Sequence, residues 1–401
     1  MLKGIFVFLL ASSICISTYA RNDKLAKDTL STPSADKNLR ISLLTCGFGN
    51  VTWQAFGHTA IRIVDNSKDS LHKDLTYNYG IFDAFEGSFE KQFIRGRVRV
   101  FLKAAPYDLF IKEYIQEGRS VEERILLLDN DQKEKIQAFL ENNALIENRY
   151  YTYHIFYDNC TIRVRDMLLK TLGKDFVLGQ VIPKNVNMTF HEACELYLAN
   201  KYWFRICGNV FFGSKADIKM SNQDIMFLPE FLDKGLEGAT INGKKVCADK
   251  AIILKNNVPA LPGINAPLII TCLIAVLTIA GLSYKRLRIL GRVMIFVVLL
   301  ISSLAGLGIL YAWFGSGYDL CSNNYNILWA LPTNIILPLL PSWIQAKYAL
   351  VAMCLICMSL IVHITGIQVM LLFELVPFWL ALFFVYGMIY RMSRNYSERI
   401  V

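Results

Sequence analysis

The sequence predicts an α+β globular domain followed by a membrane-embedded block of five helices. Three observations carry that expectation. Between residues 39 and 199 strand-like runs come first and helix-like runs later, the order of an α+β domain and not of an alternating βαβ array. From Ala266 onward the chain is nearly all apolar, and that block lifts the hydrophobic content of the 401 residues to 54%. Within it the basic residues are clustered, as loops on one side of a membrane require.

At the N-terminus Lys3 precedes an apolar core from Gly4 to about Ser17, which ends in Ser17-Thr18-Tyr19-Ala20. A short positive region, an apolar core and small residues fit a secretory signal over residues 1–20, and a core this short spans a bilayer poorly. The alternative is an uncleaved N-terminal anchor. Ile14 stands where a lipoprotein cleavage box before Cys15 needs a small residue. Residues 21–38, rich in Lys, Asp, Ser and Thr, read as a disordered or tethering lead-in. The globular domain then fills the remainder of 21–264, and the membrane domain 265–401.

Strands are expected at about 39–46, 58–65, 76–82 and 95–103. Helices are expected at about 86–94, 106–116, 131–145, 160–172 and 189–199, with Gly173 a stop signal for the fourth. Apolar spans can be drawn at about 266–284, 293–314, 327–346, 348–366 and 369–390. With the globular domain outside, Lys285, Arg286, Arg288 and Arg292, the lone Lys347, and Arg391, Arg394 and Arg399 all fall on the inner side. This places the protein in the cytoplasmic membrane as a multi-pass protein whose globular domain faces the periplasm. Pro332, Pro338 and Pro341 interrupt the third span, which admits a re-entrant segment there.

The net charge of +9 is no sign of a nucleic-acid partner. Between Arg21 and Ile264 there are 33 basic and 30 acidic residues, so the surplus lies largely in the membrane block. Of ten cysteines, Cys15 belongs to the signal, and Cys272, Cys354 and Cys357 lie in apolar spans. Cys46, Cys160, Cys194, Cys207, Cys247 and Cys321 remain for the oxidising side, where a disulfide is open but its pairing is not legible. No metal-type pair of cysteines occurs among them, and neither a metal nor a cofactor is expected.

Tyr157-Asp158-Asn159-Cys160 opens the fourth helix-like run. A thiol on the first turn sits where unpaired backbone N–H groups and the helix dipole favour the thiolate. Asp158 or Asn159 suits an N-cap, while Val164, Met167, Leu168 and Leu172 face the core. The blander reading is that Cys160 is a small buried hydrophobe. About a hundred residues earlier, His58 starts a strand on which His58, Ala60 and Arg62 share one face. An imidazole there can take the thiol's proton, although a strand histidine is also a common structural group, and His72, His154 and His191 compete for the role. A base needs an orienting partner, and Asn78 on the next strand is chosen over Asp83. Its plainer reading is a cross-strand polar pair.

Arg95, Arg97 and Arg99 alternate with Gly96, Val98 and Val100. On a strand they share a face that can meet lipid phosphates, or is simply solvated. Glu374, an ionisable residue in the fifth span, reads by default as functional, with packing or snorkelling as the alternative.

Trp53-Gln54-Ala55-Phe56-Gly57-His58-Thr59-Ala60-Ile61-Arg62, Tyr77-Asn78-Tyr79-Gly80 and Phe156-Tyr157-Asp158-Asn159-Cys160-Thr161-Ile162-Arg163 resemble the Lnb family of membrane lipoprotein N-acyltransferases. So do Gly213 to Asp217, Phe227-Leu228-Pro229 and Asn324-Tyr325-Asn326-Ile327-Leu328-Trp329. The order His first and Cys later resembles the circularly permuted papain-like branch of the NlpC/P60 superfamily, and Asn159-Cys160 is similar to lecithin:retinol acyltransferase. The resemblance covers roughly residues 40–390. It implies a permuted papain-like periplasmic domain and transfer of an acyl chain from a phospholipid to the α-amine of diacylated lipoproteins. Cys160 would be the nucleophile, His58 the base and Asn78 its orienting partner, with Arg95, Arg97, Arg99 and Glu374 offered as substrate contacts. A peptidoglycan endopeptidase and a catalytically idle membrane scaffold are the alternatives.

Overall fold

A computed structural model describes residues 39–68, 73–83, 88–261 and 263–397. The expected signal, the lead-in and His72 lie outside the described residues. The sheet-rich part holds β1 (Leu39–Cys46), β2 (His58–Asp65), β3 (Asp74–Phe82), α1 (Phe89–Ile94), β4 (Val98–Pro106), α2 (Tyr107–Glu117), β5 (Val121–Ile125), α3 (Asn130–Ala144), β6 (Tyr150–Tyr153) and α4 (Cys160–Leu172). It continues with β7 (Phe176–Val177), α5 (Phe190–Leu198), α6 (Tyr202–Phe211), α7 (Pro229–Glu237), β8 (Thr240–Ile241), β9 (Lys244–Lys245) and β10 (Ala251–Leu254).

Seven strands form one sheet in the order β10-β5-β1-β2-β3-β4-β6, with every pair antiparallel. Strand β1, interior to the sheet, is buried at every residue but Arg40 because both faces are covered. Leu39, Ile41 and Leu43 join the main core with Ile136 and Leu140 of α3 and Val164, Met167 and Leu168 of α4. Leu44 and Cys46 point the other way, against Phe110 and Tyr114 of α2. The result is three layers, with helices on both faces of the sheet.

The expected strands and helices are all present, and one correction is local. Arg95 and Gly96 form the turn that ends α1, and Arg97 precedes β4, so only Arg99 of the three arginines lies in a strand. Strands β5, β6 and β10 were not expected. Each is short or charged, and their sheet partners are distant in sequence.

The membrane block corrects the five-helix expectation. Among the described residues four helices are long and apolar enough to cross a membrane: α8 (Ala266–Ser283), α9 (Arg288–Phe314), α10 (Ser342–Ile364) and α11 (Leu372–Ser397). The third expected span, 327–346, is not a helix. Its prolines confine it to 3-10 turns over Tyr325–Leu328 and Pro332–Leu339, and its last residues belong to α10. A proline lacks the N–H that an α-helix needs.

This unwound segment is bonded to the elements around it at several points. Asn324 Nδ2 donates to Val210 O and Phe211 O at the sheet-domain end. Midway, Ser302 Oγ donates to Trp329 O at 3.0 Å and Asn334 Nδ2 donates to Ser302 Oγ at 2.9 Å. At the far end Gln345, which holds Leu340 O, accepts from Ser393. Ser393 lies 19 residues beyond Glu374 on α11, about 28 Å along the helix. Non-helical backbone at membrane depth requires protein partners for its polar groups, and α9 supplies one to Trp329 O and α10 one to Leu340 O. Gly306 permits the approach, since a Cβ there would lie 2.0 Å from Ala330 O.

The two parts are locked together. Asn326 Nδ2 donates to Asn209 O, Gln368 Nε2 to Phe212 O, and the Val369 amide to Asp217 Oδ2, each within 3.0 Å. Glu374, 1% exposed, is ion-paired with Arg205 of α6 and accepts from Asn265. Its reading as a substrate contact is therefore corrected: the carboxylate is sealed in the joint.

Candidate active site

Cys160 is the first residue of α4, and local sequence fixes it there. The Asn159 side chain caps the helix by accepting from the Ile162 amide at 2.9 Å. Its Nδ2 donates to Ile155 O and Phe227 O, so the cap itself is immobilised. On the sheet, Cys46 of β1 faces His58, which begins β2. The hydroxyls of Thr59 and Thr161, 3.0 Å apart, tie that strand end to the first turn of α4. The strand thus delivers an imidazole to the helix start, close enough for His58 and the Cys160 thiol to shift each other's ionisation.

The third expected residue is also in place. His58 Nε2 donates to Asn78 Oδ1 at 2.5 Å. A carboxamide oxygen only accepts, so this contact fixes the proton on Nε2 and leaves Nδ1 for the thiol. Beyond Asn78 the pairing of β3 with β4 shifts register before Ile81. Gly80 stands in that irregularity with φ +88°, a backbone region that favours glycine. A Cβ on Gly80 would lie 3.7 Å from Tyr151 Oη and 3.9 Å from Cys160 Cβ, so the missing side chain leaves space next to Cys160. The Tyr151 hydroxyl is buried with no hydrogen-bond partner.

Electrostatics distinguish this thiol from the others. Burial pushes Cys160 up, but the charge and hydrogen bond of His58, the Thr59 amide and the Thr161 hydroxyl together bring it down to about 7. His58 moves the opposite way: burial lowers it, and the facing sulfur raises it above the ordinary imidazole value. The two shifts describe one thiolate–imidazolium pair. Cys46 and Cys321 are pushed up to about 12 and Cys247 to about 11, each chiefly by burial, and Cys194 is raised as well. All nine described cysteines are free.

The competing histidines have other surroundings. His154 sits in the turn before α4, where its Nδ1 accepts from the Phe156 amide and burial lowers its pKa. His191 is buried between Asp217 and Asn209, in the joint with the membrane part. Arg95, Arg97 and Arg99 reach one place by a different route from the expected strand face. With Gln92, Tyr150 and Thr152 they line an open groove of about 430 Å³. The turn at Gly96 touches the loop after α9, where the Gly317 amide donates to Arg95 O. The groove therefore lies at the level where the bundle begins.

Sequence reasoning missed Tyr151, Thr161 and Gly80 as parts of this site. Tyr77-Asn78-Tyr79-Gly80 contained a signal, a glycine inside a strand pattern, which marks a bulge or a close approach. Asn324, Asn326 and the stretch Gly213 to Asp217, met first as motif residues, are the contacts of the joint.

Residues 30–185 match the family model for the Lnb N-terminal periplasmic domain, and residues 261–396 match that for the Lnb transmembrane domain. No curated protein and no solved structure matches the chain.

Proposed function

Because the chain belongs to the Lnb family, and is thus a lipoprotein-related membrane protein with a periplasmic N-terminal domain, we propose that it is a thiol-dependent lipoprotein N-acyltransferase. A phospholipid is the donor and the α-amine of an N-terminal diacylglyceryl cysteine the acceptor. The observation that carries this reading is the lowered thiol of Cys160 against a His58 ring held by Asn78. The order of these elements, base strand before nucleophile helix, supports a circularly permuted papain-like fold. Four membrane-length helices and the unwound segment between the second and third support a multi-pass protein of the cytoplasmic membrane with this site on the periplasmic side.

In the first half-reaction the Cys160 thiolate attacks a fatty ester carbonyl of the phospholipid, and the carbonyl π pair moves to oxygen. The first-turn N–H groups of α4 and the Tyr151 hydroxyl are the donors available to that oxyanion. On collapse the ester C–O bond breaks, and the leaving glycerol oxygen takes the proton held by His58. A lysophospholipid departs and an acyl thioester stays on sulfur. In the second half, the acceptor amine attacks the thioester while His58 takes its proton. The C–S bond then breaks, leaving thiolate, imidazolium and an amide. An α-amino pKa of about 7.7–8.0 leaves a useful neutral fraction near pH 7. Arg95, Arg97 and Arg99 supply charge for the lipid phosphate, and the membrane helices hold both lipids at one depth. No residue of the chain is required to hold a metal or cofactor in this scheme.

The test uses purified full-length protein with acyl-labelled phospholipid. Hydroxylamine-sensitive label on Cys160, absent in Cys160→Ser, is expected. Mass spectrometry of lipoprotein N-termini should show diacylated, free-amine species when the gene is deleted. If they stay fully N-acylated and muropeptide cross-links change instead, the site is a peptidase.

A further inference from the structure

The loop between β1 and β2 exposes three large apolar side chains within six residues. Phe48 is 46% exposed, Val51 42% and Trp53 61%. Single exposed hydrophobes need no explanation, but a contiguous apolar tip does. Elsewhere this loop is tightly held. The Gly47 amide donates to Ser120 O and the Gly49 amide to Gln54 O, both at 2.9 Å. Arg119 holds Gly47 O, Lys201 holds Gly49 O at 2.7 Å, and Gln54 Nε2 donates to Glu117. With much of its backbone bound inward, the loop turns Phe48, Val51 and Trp53 outward, on either side of the exposed Asn50.

Its position says what those groups meet. Asn50 Nδ2 donates to Pro259 O, in the linker that enters the first membrane helix at Ala266. The contact from Lys201 comes from the residue preceding α6, the helix that docks on the bundle through Arg205 and Glu374. The tip is therefore continuous with the outer rim of the helices that cross the membrane.

From that rim a row of aromatic rings leads inward. Trp53 meets Phe89 edge-on at 6.0 Å, and Phe89 meets Phe82 at 5.4 Å. Phe89 also stacks on Phe93 at 5.7 Å, and Phe93 contacts Tyr318 in the loop after α9. Phe82 lies two residues beyond Gly80, the position that leaves space beside Cys160. The same short helix α1 that carries Phe89 and Phe93 presents Gln92 and, at its end, Arg95 to the cationic groove. One helix thus separates an apolar track from a phosphate-suited groove.

We propose that Phe48, Val51 and Trp53 enter the bilayer interface and that, with Phe82, Phe89 and Phe93, they bind the acyl chain of a membrane glycerophospholipid and lead its ester to Cys160. This rests on the acyl-transfer reading of the site, and it adds how a chain leaves the bilayer to reach a buried thiol. Aromatic side chains suit the task because they lie stably at the lipid–water boundary.

Two measurements on the full chain in phosphatidylcholine vesicles test it. First, emission of the wild type is compared with that of Trp53→Phe, with lipid chains brominated near the headgroup. The Trp53 contribution should be blue-shifted and quenched; a water-like, unquenched contribution overturns the proposal. Second, Phe48→Ser/Val51→Ser/Trp53→Ser is assayed for acylation of Cys160 by vesicle phospholipid and by a water-soluble short-chain acyl thioester. Transfer from phospholipid should fall at least about tenfold, with the soluble donor changed less than about twofold. Equal loss with both donors, or none with either, overturns the proposal. Failure of the acyl-transfer reading is visible separately: wild-type Cys160 would take label from neither donor, whereas bromine quenching would still decide whether the tip meets lipid.

Discussion

Removing the imidazole in His58→Ala should abolish the special state of the Cys160 thiol, and the size of the change follows from the structure. With His58 present the thiol lies at about 7, so half of it is ionised at pH 7. Burial is the largest influence on this group and it raises the pKa; the principal opposing influence is His58. Without the ring the thiol returns at least to its ordinary value near 9.0, where roughly 1% is ionised at pH 7. The thiolate population therefore falls about 50-fold. A more basic thiolate is intrinsically the better nucleophile, and a Brønsted slope of about 0.4–0.5 over two units returns roughly six- to tenfold. The net loss in alkylation rate at pH 7 is then about five- to eightfold. The midpoint of the pH profile is the sharper readout. The assay is iodoacetamide labelling of full-length protein across pH, quantified on the Cys160 peptide by mass spectrometry because other cysteines are present. Reactivity should rise through pH 7 in the wild type and through pH 9 or above in His58→Ala. An unchanged midpoint would refute the thiolate–imidazolium pair. Acyl transfer, which also needs the base in its second half, should fall by about 10²–10⁴-fold.

Asn78→Ala should leave folding intact but free the ring, lowering transfer roughly 10- to 150-fold, the range of one hydrogen bond to a charged group; Asn78→Asp, which still accepts from Nε2–H, should retain more activity in the same assay. Gly80→Ala should cost about 1–2 kcal/mol in thermal or denaturant unfolding because of its positive φ, and should slow Cys160 acylation by filling the space next to that residue. Arg205→Ala strands the buried Glu374 carboxylate, so a loss of about 3–5 kcal/mol and separation of the two parts in limited proteolysis are expected. Arg205→Met/Glu374→Leu should recover much of that stability, and failure to recover would mean that the pair does not hold the joint.

Local sequence determined much of this protein. Alternation and periodicity are short-range properties, so β1, β2 and β3 and the helices from Tyr107 to Leu198 were legible within a few residues of their ends. The thiol's helix start was legible too, because an Asn cap is written in adjacent residues. Apolar runs gave the four membrane-length helices, and clustered basic residues gave an expected sidedness. What they could not give was the form of the third expected span. Prolines forbid an α-helix, but whether the chain turns back or crosses unwound depends on partners such as Ser302 and Gly306, supplied by another element. The same limit applies to the site. That His58 and not His154 or His191 meets the thiol follows from Cys46 facing His58 and from the Thr59–Thr161 bond, contacts between residues a hundred apart. Arg95, Arg97 and Arg99 meet through a turn and a strand instead of an alternating face. Glu374 stands out in sequence as a charge in apolar surroundings, and only the tertiary structure supplies Arg205 to explain it. Residue type and spacing gave a short set of candidate groups and the elements that present them; the thiol's lowered pKa exists only once the sheet has brought an imidazole against the helix start, because charge interactions depend on distance in space and not along the chain.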